Sequence, residues 1–407
     1  MLKSLLRDDA EALADDLADL RHRLHRHPEI GLDLPWTQGQ LLAELDGLGL
    51  ELSTGSALTS ITAVLRGGSP GASRPSVLLR ADMDALPVQE ATALDFASEL
   101  DGAMHACGHD LHMTMLVGAA RLLAARRDEL PGDVVFMFQP GEEGWDGAGR
   151  MIEEGVLDAS GSRVRNAYGI HVFANKIPTG VFTSRPGTLM AASDWLALTV
   201  RGKGGHGSAP HTTRDPVSAI AEMVSAMHAF VTRRFDIFDP VVLTVGSLHA
   251  GTKRNIIPDD AQLDATIRTF SEESRELMRT GLPQLCRSIG EAFGVEVDAE
   301  FREEYPLTVN DPYETGFVAD TVADLFGADG YLPMAFPEAG AEDFSRVLAE
   351  VPGCYVMLGA SVEEDFTRSP SNHSSLATFS DAVLPKGAEL LAQLAIRSLS
   401  RNGADDV

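Results

Sequence analysis

Short apolar runs alternate with longer segments of helical periodicity in the first and last thirds of the chain. The runs "SVLLRADMD", "DVVFMFQP" and "AYGIHVF" predict buried strands, and "MTMLVGAARLLAARRDEL" predicts a helix among them. The same pattern returns near the end of the chain in "GFVADTVADLFG" and "CYVMLGA". Strands joined by crossover helices are typical of α/β folds. We therefore expect an α/β domain in which helices flank a mixed sheet.

The middle third has a different order of elements. From about Gly187 the pattern predicts a strand, a helix, two strands, a helix and a strand, in "DWLALTVRG", "DPVSAIAEMVSAMHAFVTRR", "PVVLTVGSLHAG", "AQLDATIRTF", "EESRELMRTGLPQLCRSIGEAF" and "VEVDAEFRE". This βαββαβ order is typical of a ferredoxin-like α+β domain. Because α/β patterning resumes afterwards, we predict that residues 188–302 are inserted into a larger domain formed by residues 1–187 and 303–407.

The first 31 residues predict an amphipathic surface helix. Leu and Ala recur there at helical spacing between acidic residues, and no signal-peptide pattern is present. His22, His25 and His27 fall at the end of this helix, where we expect them to be solvated. No run of about 18 apolar residues occurs, so the sequence predicts no membrane span.

Charge and cysteine content narrow the possible functions. The 407 residues are enough for two domains. The chain has 33 Lys and Arg against 60 Asp and Glu, and this formal charge of −27 disfavours binding to nucleic acid or to anionic membranes. The three cysteines, 107, 286 and 354, are scattered and odd in number, unlike a secreted disulfide framework. A reducing, cytoplasmic location is expected.

Four segments contain residues of the types that bind metals. They are Cys107 and His109 in "ACGHD", Glu142 and Glu143 in "FQPGEEG", His171 in "YGIHV" and His373 in "SNHSS". Taken singly, such residues are ordinary, since a lone cysteine usually packs as a small apolar side chain. Their joint occurrence favours a metal site, and the glycine of "CGH" lets the backbone direct both neighbours to one point. Composition and spacing alone leave both interpretations open.

Seven ordered motifs extend this observation to nearly the whole chain. They are "RADMDALPVQE", "HACGHDLHM", "FQPGEEG", "GIHV", "GKGGHGSAPH", "GTKRNIIPD" and "GAEDFS". In this order they resemble the M20 metallopeptidase superfamily, from about Arg21 to about Leu391. More narrowly, they resemble its amidohydrolase branch of hippurate hydrolases, N-acyl-amino-acid amidohydrolases and plant auxin-conjugate hydrolases. Two departures, Ala341 in place of Ser and Ser375 in place of Pro, bear on the substrate rather than on the metals.

The resemblance implies a hydrolase with two divalent metal ions per subunit. Cys107 resembles a thiolate bridge between the ions, and the terminal ligands by resemblance are His109, Glu143, His171 and His373. Five ligands exceed the three that a catalytic zinc site needs, and they suit two ions. Sulfur and imidazole favour zinc, nickel or cobalt, and the resemblance also admits manganese. Glu142 resembles the general base and acid.

Further roles follow from the same resemblance. Asp84 is expected to hold a ligand histidine through that ring's second nitrogen. His206, in "GKGGHGSAPH", resembles a donor to the oxyanion that reaches the site from the inserted lid or dimerisation domain, often from a partner subunit. Asn255 and Arg268 resemble residues that hold the polar end or carboxylate of the substrate. The chain is therefore expected to form a homodimer or a homotetramer.

Four nearby residues can be interpreted in two ways. Each could orient a ligand or could cap a turn: Asp82, His105, Asp110 and His112.

The sequence thus predicts a dinuclear metal amidohydrolase that cleaves N-acyl amino acids or similar small conjugates with metal-activated water. One alternative is an M20-type dipeptidase or carboxypeptidase. Another is a cysteine hydrolase that pairs Cys107 with His109 or His105. A third is a non-catalytic relative that binds a ligand without turnover.

Overall fold

The computed structural model describes residues 2–68 and 74–401, and these form two compact units. The first comprises the described parts of Met1–Gly187, Val309–Ala335 and Arg346–Val407, and the second comprises Thr188–Thr308 and Phe336–Ser345. The second unit therefore extends past residue 302, where the sequence placed its end, because its last strand is longer than predicted. It also includes a separate segment, since the amide of Ala191 donates to the carbonyl oxygen of Glu338 at 3.0 Å.

The element order follows the predicted alternation. The helices are α1 (Leu2–Ala12), α2 (Ala14–Arg26), α3 (Pro35–Leu45), α4 (His109–Ala124), α5 (Gly147–Glu153), α6 (Pro216–Arg234), α7 (Glu272–Phe293), α8 (Pro312–Phe326), α9 (Ser345–Glu350) and α10 (Leu384–Ser400). The strands are β1 (Glu51–Thr54), β2 (Ile61–Leu65), β3 (Ser76–Asp82), β4 (Asp133–Gln139), β5 (Asn166–Phe173), β6 (Phe182–Ser184), β7 (Gly187–Met190), β8 (Ala192–Arg201), β9 (Gly205–His206), β10 (Val241–Ala250), β11 (Ile256–Ile257), β12 (Asp260–Thr269), β13 (Glu296–Tyr305), β14 (Thr308–Asn310), β15 (Tyr331–Pro333) and β16 (Gly353–Gly359).

An eight-stranded mixed sheet organises the first unit. Its order is β1-β2-β4-β3-β5-β16-β6-β15. The four central strands β4, β3, β5 and β16 are mutually parallel, whereas β2 joins them antiparallel on one side and β6 on the other. All four central strands are buried along their whole length, as expected for a parallel sheet covered on both faces. The predicted α/β fold with a mixed sheet is confirmed.

The N-terminal segment differs from its prediction. Two helices, α1 and α2, replace the single expected helix. Leu17, Leu20, Arg21, Leu24 and His25 of α2 are all buried. The segment is therefore part of the packing of the first unit rather than a surface addition.

The second unit contains a four-stranded antiparallel sheet with two helices. Its order, β10-β12-β8-β13, with α6 after β8 and α7 after β12, is the topology expected for a ferredoxin-like unit. Residues of β12 alternate between exposed and buried, so only one face of the sheet packs against the helices. The two-stranded ribbon of β9 and β11 pairs His206 with Ile256. No helix in the described part of either unit is long and apolar enough to span a membrane.

Candidate metal centre

The carboxyl ends of the parallel strands bring the predicted residues to one edge of the main sheet. β3 ends at Asp82, just before Asp84, and β4 ends three residues before Glu142. β5 carries His171 near its carboxyl end. Ligand-binding groups in open α/β sheets gather at this edge, because parallel strands all end there.

A tight turn presents Cys107 and His109 together at the start of α4. The intervening Gly108 has φ = +85°, a left-handed conformation that favours glycine. A Cβ atom at that position would lie 2.4 Å from Cγ2 of Val172. The turn therefore requires glycine both for its backbone angle and for its contact with β5.

Five predicted ligands converge within the first unit as two groups of three that share Cys107. One group is Cys107, His109 and His171, and the other is Cys107, Glu143 and His373, with the ligand atoms of each group within 4.8 Å of one another. The Cys107 Sγ atom lies 3.4 Å from Nε2 of His171 and 3.2 Å from Nε2 of His373. A sulfur shared between one group with two nitrogen donors and another with one nitrogen and one oxygen donor is an arrangement that suits two neighbouring cations.

Asp84 organises both His109 and the two glutamates. Nδ1 of His109 lies 2.8 Å from the main-chain carbonyl oxygen of Asp84, so this nitrogen carries the proton. The Asp84 carboxylate accepts hydrogen bonds from the amides of Glu142 and Glu143, at 2.9 and 3.0 Å. Asp84 was expected to hold a ligand histidine; it does so through its main-chain carbonyl, whereas its side chain fixes the glutamate turn. Burial raises the pKa of Asp84 to about 6.

His112 and Asp82 form a pair behind the ligands. Nδ1 of His112 lies 2.6 Å from the Asp82 carboxylate, and Nε2 accepts from the amide of Val172, next to His171. Both nitrogens of His112 are therefore occupied within the protein, so it orients rather than binds. Burial favours the neutral acid, yet His109, His112 and Arg80 together hold the pKa of Asp82 well below its usual range.

The remaining donor chemistry fits divalent cations. Nε2 of His109 is buried and has no hydrogen-bond partner in the described structure, although it faces Glu142 and Glu143. Burial and the charges of the two glutamates raise the pKa of the Cys107 thiol well above its usual range. Cations at this point would offset both effects, because they accept the free imidazole lone pair and stabilise a thiolate.

His206 and Asn255 lie together in the second unit. Their segments are joined by the hydrogen bond from the Gly207 amide to the Asn255 carbonyl, at 2.9 Å. Nδ1 of His206 accepts from the Ser208 amide at 3.2 Å, so Nε2 of this exposed ring carries the proton when the ring is neutral. His206 belongs to the short strand β9.

Arg268 lies elsewhere in the second unit. It pairs with Ser193 in the register of β12 with β8, at the end of the sheet opposite to the Asp260–Arg201 pair. Burial lowers the pKa of its guanidinium.

Of the three N-terminal histidines expected to be solvated, His25 is buried, which corrects the prediction for that ring, whereas His22 and His27 are partly exposed. His25 is only 1% exposed, and its Nδ1 lies 2.9 Å from the Asp110 carboxylate. His22 lies 2.8 Å from a carboxylate oxygen of Asp381, and His27 stacks on Trp36 with ring centroids 4.4 Å apart. His22 and His27 thus stay partly exposed beside acidic or aromatic partners, and only His25 is withdrawn from solvent.

The structure also shows the contacts of Asp110 and His105, which the sequence left with two interpretations. It places two arginines, Arg21 and Arg80, beside the buried acids. Asp110 forms ion pairs with Arg21 and His25. The ring of His105 is buried and has no hydrogen-bond partner among the residues that the structure describes, and burial lowers its pKa to about 3. Arg80 donates to Asp82 at 2.7 Å from within the buried strand β3. Sequence reasoning missed both arginines, although a charge inside the apolar run "SVLLRAD" was a signal for the second.

The chain is similar in sequence to known proteins over most of its length. Residues 78–397 match the family described as Peptidase family M20/M25/M40. The chain is 39% identical to thermostable carboxypeptidase 2 of Saccharolobus solfataricus over 96% of this chain and 98% of that protein. It is 35% identical to IAA-amino acid hydrolase ILR1-like 2 of Arabidopsis thaliana, over 96% and 87%.

A solved structure of similar fold comes from Bacillus subtilis. This YXEP protein, described as a dinuclear metal binding peptidase from the M20 family, superposes with a TM-score of 0.80 at 30% identity. The similarity covers 96% of this chain and 99% of that protein.

Proposed function

The chain belongs to peptidase family M20/M25/M40, and from this premise we propose that it is a dinuclear metal-dependent amidohydrolase. Its substrates would be N-acyl amino acids or similar small conjugates, and its products a carboxylic acid and an amine. The observation that carries the proposal is the pair of ligand groups sharing Cys107, with Glu142 beside them. The name of the plant relative, an IAA-amino acid hydrolase, supports an amide between an acid and an amino acid.

The ligands proposed for the two ions are the five convergent residues: Cys107, His109, Glu143, His171 and His373. Two divalent cations, when bound, would supply Lewis acidity that polarises the scissile carbonyl and acidifies water. Sulfur and imidazole donors favour zinc, nickel or cobalt, and manganese is admitted by the family.

Glu142 is proposed to move the protons of the reaction. Its amide is fixed by Asp84, and its carboxylate lies within 4.8 Å of ligand atoms of His109 and Glu143. From there it can accept a proton from the attacking water as the new C–O bond forms. The same proton then passes to the leaving nitrogen as the C–N bond breaks, so that Glu142 ends as it began.

His206 is proposed to donate from Nε2 to the oxygen that becomes negative during attack. Its Nδ1 is already occupied as an acceptor by Ser208, so the free nitrogen is the donor. A donor aimed at developing charge lowers the barrier, because it acts most strongly in the transition state.

We further propose that the active form is a homodimer, alone or as half of a homotetramer, with a site shared between copies. Asp260 and Arg268 are separated along β12 by roughly 26 Å, taking about 3.3 Å per residue over eight residues. Asn255 precedes β11, outside β12, in the segment bonded to Gly207. We infer that one small substrate does not contact Asn255 and Arg268 of a single copy, so the two would come from different copies if both bind it. The exposed Ile237 and Phe238 before the free edge of β10 support an association surface on this unit.

A carboxypeptidase or dipeptidase activity is the second candidate. It is favoured by the 39% identity to a thermostable carboxypeptidase. The two functions differ in the group on the carbonyl side of the scissile amide. It is a simple acyl group for an amidohydrolase and a peptide or an amino acid for a peptidase. A cytoplasmic site of action is part of the proposal, since Cys107, Cys286 and Cys354 are all free thiols.

The test is a metal analysis combined with a substrate panel. We expect about two cations per chain, and kcat/KM highest for N-benzoyl or N-acetyl amino acids among a panel that includes unblocked dipeptides and N-blocked peptides. Higher kcat/KM for the peptides would select the second candidate. Activity that survives complete chelation would favour a cysteine hydrolase instead, and no turnover of any substrate by metal-loaded protein would favour a binding protein.

A further inference from the structure

Arg21 of α2 is a fully buried guanidinium, with 0% of its surface exposed. Such a charge is tolerated only where hydrogen bonds and opposite charges compensate for lost hydration. Its Nε donates to Asp110 at 2.9 Å, and its Nη1 donates to Asp381 at 2.5 Å and to the carbonyl oxygen of Phe379 at 2.8 Å. The guanidinium also lies 5.2 Å from the ring centroid of Phe96. All of these partners are distant in sequence.

The hydrogen-bond partners of Arg21 belong to two of the three segments that carry proposed ligands outside the sheet. Asp110 directly follows His109 in the first turn of α4. Asp381 lies eight residues after His373, in the 3-10 turn Asp381–Val383 that leads into α10. One side chain therefore joins the start of the ligand helix to the far end of the His373 loop.

His373 depends on such support. Its φ is +68°, in the left-handed region that residues with a Cβ rarely adopt. Its side chain is 54% exposed, so close packing does not fix the ring. Its amide donates to the carbonyl oxygen of Ala106 at 2.9 Å, and the side-chain amide of Asn372 donates to the carbonyl oxygen of Cys107 at 3.3 Å. These bonds tie the start of the loop to the Cys107 turn, and the bonds of Arg21 hold its later part. Strained conformations persist where the surroundings hold them.

We propose that Arg21 is a positioning residue of the metal centre. Together with the direct bonds of Asn372 and His373 to the Cys107 turn, it fixes the path of the His373 loop, and so sets the affinity for the cation assigned to Cys107, Glu143 and His373. The inference rests on the proposed two-metal function. Within residues 2–68 and 74–401, Arg21 donates hydrogen bonds to Asp110, Phe379 and Asp381 rather than to a ligand side chain, so its effect passes through the two segments that it joins.

The effect should be selective for one of the two ions. The other ligand group places His109 on α4 and His171 on β5, which are buried elements of the core. Loss of Arg21 also leaves both acids with a partner, because His25 pairs with Asp110 and His22 with Asp381. The fold should therefore survive, while the loop gains freedom.

The test is stepwise titration of the metal-free protein with cobalt(II), comparing Arg21→Met and Arg21→Lys with wild type. We expect Arg21→Met to bind the first equivalent normally and to keep the thiolate-to-cobalt absorption band. The second equivalent should bind about tenfold to a hundredfold more weakly, the usual cost of losing a residue that orients ligands. The affinity of Arg21→Lys for the second equivalent should lie between those of Arg21→Met and wild type, since lysine retains the charge but not the forked geometry.

Two further variants separate positioning from general stability. Asp381→Asn should also bind the second cobalt equivalent more weakly, because it removes the carboxylate that pairs with Arg21. Arg401→Met is the matched control: it removes an arginine bonded to the buried Glu314 in the same unit, 28 residues after His373. It should lower the melting temperature and leave both cobalt equivalents unchanged.

Several outcomes would overturn the inference. Unchanged binding of both equivalents in Arg21→Met would do so, as would an equal loss of the second equivalent in Arg401→Met. Should Arg21→Met fail to fold, unchanged second-equivalent binding in both Arg21→Lys and Asp381→Asn would refute it. Wild-type protein that binds fewer than two equivalents would instead refute the two-metal function.

Discussion

The two adjacent glutamates should separate by role when each is replaced by glutamine. Glu142 belongs to neither of the two groups that share Cys107, whereas Glu143 belongs to one of them, with Cys107 and His373. Glu142→Gln should therefore keep both ions and lose catalysis. Glu143→Gln should lose one ion of the two, because the other group, with His109 and His171, is intact.

The magnitudes follow from these positions. Removing a general base costs roughly 100-fold to 10,000-fold in kcat, which corresponds to about 2.7 to 5.5 kcal/mol of activation free energy. Removing a direct ligand should lower the affinity for one cation by more than about 100-fold. That factor is the upper value for residues that only orient ligands. The amides of Glu142 and Glu143 both donate to Asp84, so neither substitution disturbs the main-chain bonds that shape the turn.

Metal content after gel filtration and kcat under saturating metal are the two measurements. Glu142→Asp serves as the control, because it keeps the negative charge near the ions and only shortens the reach of the base. It should retain two ions and still lose most of its kcat. Equal metal content together with equal kcat in the two glutamine variants would refute the division of roles. So would loss of both ions in Glu142→Gln with normal content in Glu143→Gln.

Three other predictions follow from the site. Cys107→Ser should lower metal occupancy, and wild-type Cys107 should resist alkylation when metal is bound; alkylation at the same rate with and without metal would make it a packing residue only. His206→Ala should lower kcat by roughly a hundredfold to a thousandfold at unchanged metal content, and a change in KM alone would remove its role at the oxyanion. Mixing inactive His206→Ala with inactive Glu142→Gln should restore activity through heterodimers; no recovery despite measured subunit exchange would mean that each copy completes its own site.

Local patterns predicted most of the elements, because burial leaves a strong periodic signal. The strand β4 was predicted at residues 133–140 and ends at Gln139, and α7 was predicted over its full length, Glu272–Phe293. The βαββαβ order also gave the topology of the second unit. Its boundary was less accurate, because the pairing of Ala191 with Glu338 joins segments that no local pattern connects.

The convergence of Cys107, Glu143 and His373 could be anticipated from the ordered motifs, but the supporting contacts could not. The clearest example is Arg21. It lies four residues after Leu17 and three before Leu24, so helical spacing places it on the apolar face of α2. That signal was present in the sequence, yet its partners, Asp110 and Asp381, are 89 and 360 residues away. A charge on an apolar face indicates a buried partner without saying which one.

The two ligand groups differ in how the fold holds them. His109 begins α4 and His171 lies within β5, so one group is built on regular, buried elements. Glu143 lies in the turn after β4, and His373 lies in a loop with a left-handed backbone, so the other group depends on irregular segments. Regular elements hold side chains more precisely than loops do, because packing and main-chain hydrogen bonds restrict them from several sides. The cation assigned to Glu143 and His373 should therefore respond first to any perturbation of the site, including substitutions that touch no ligand. This asymmetry explains why two unrelated changes, loss of a ligand at Glu143 and loss of a distant tether at Arg21, are expected to affect the same ion.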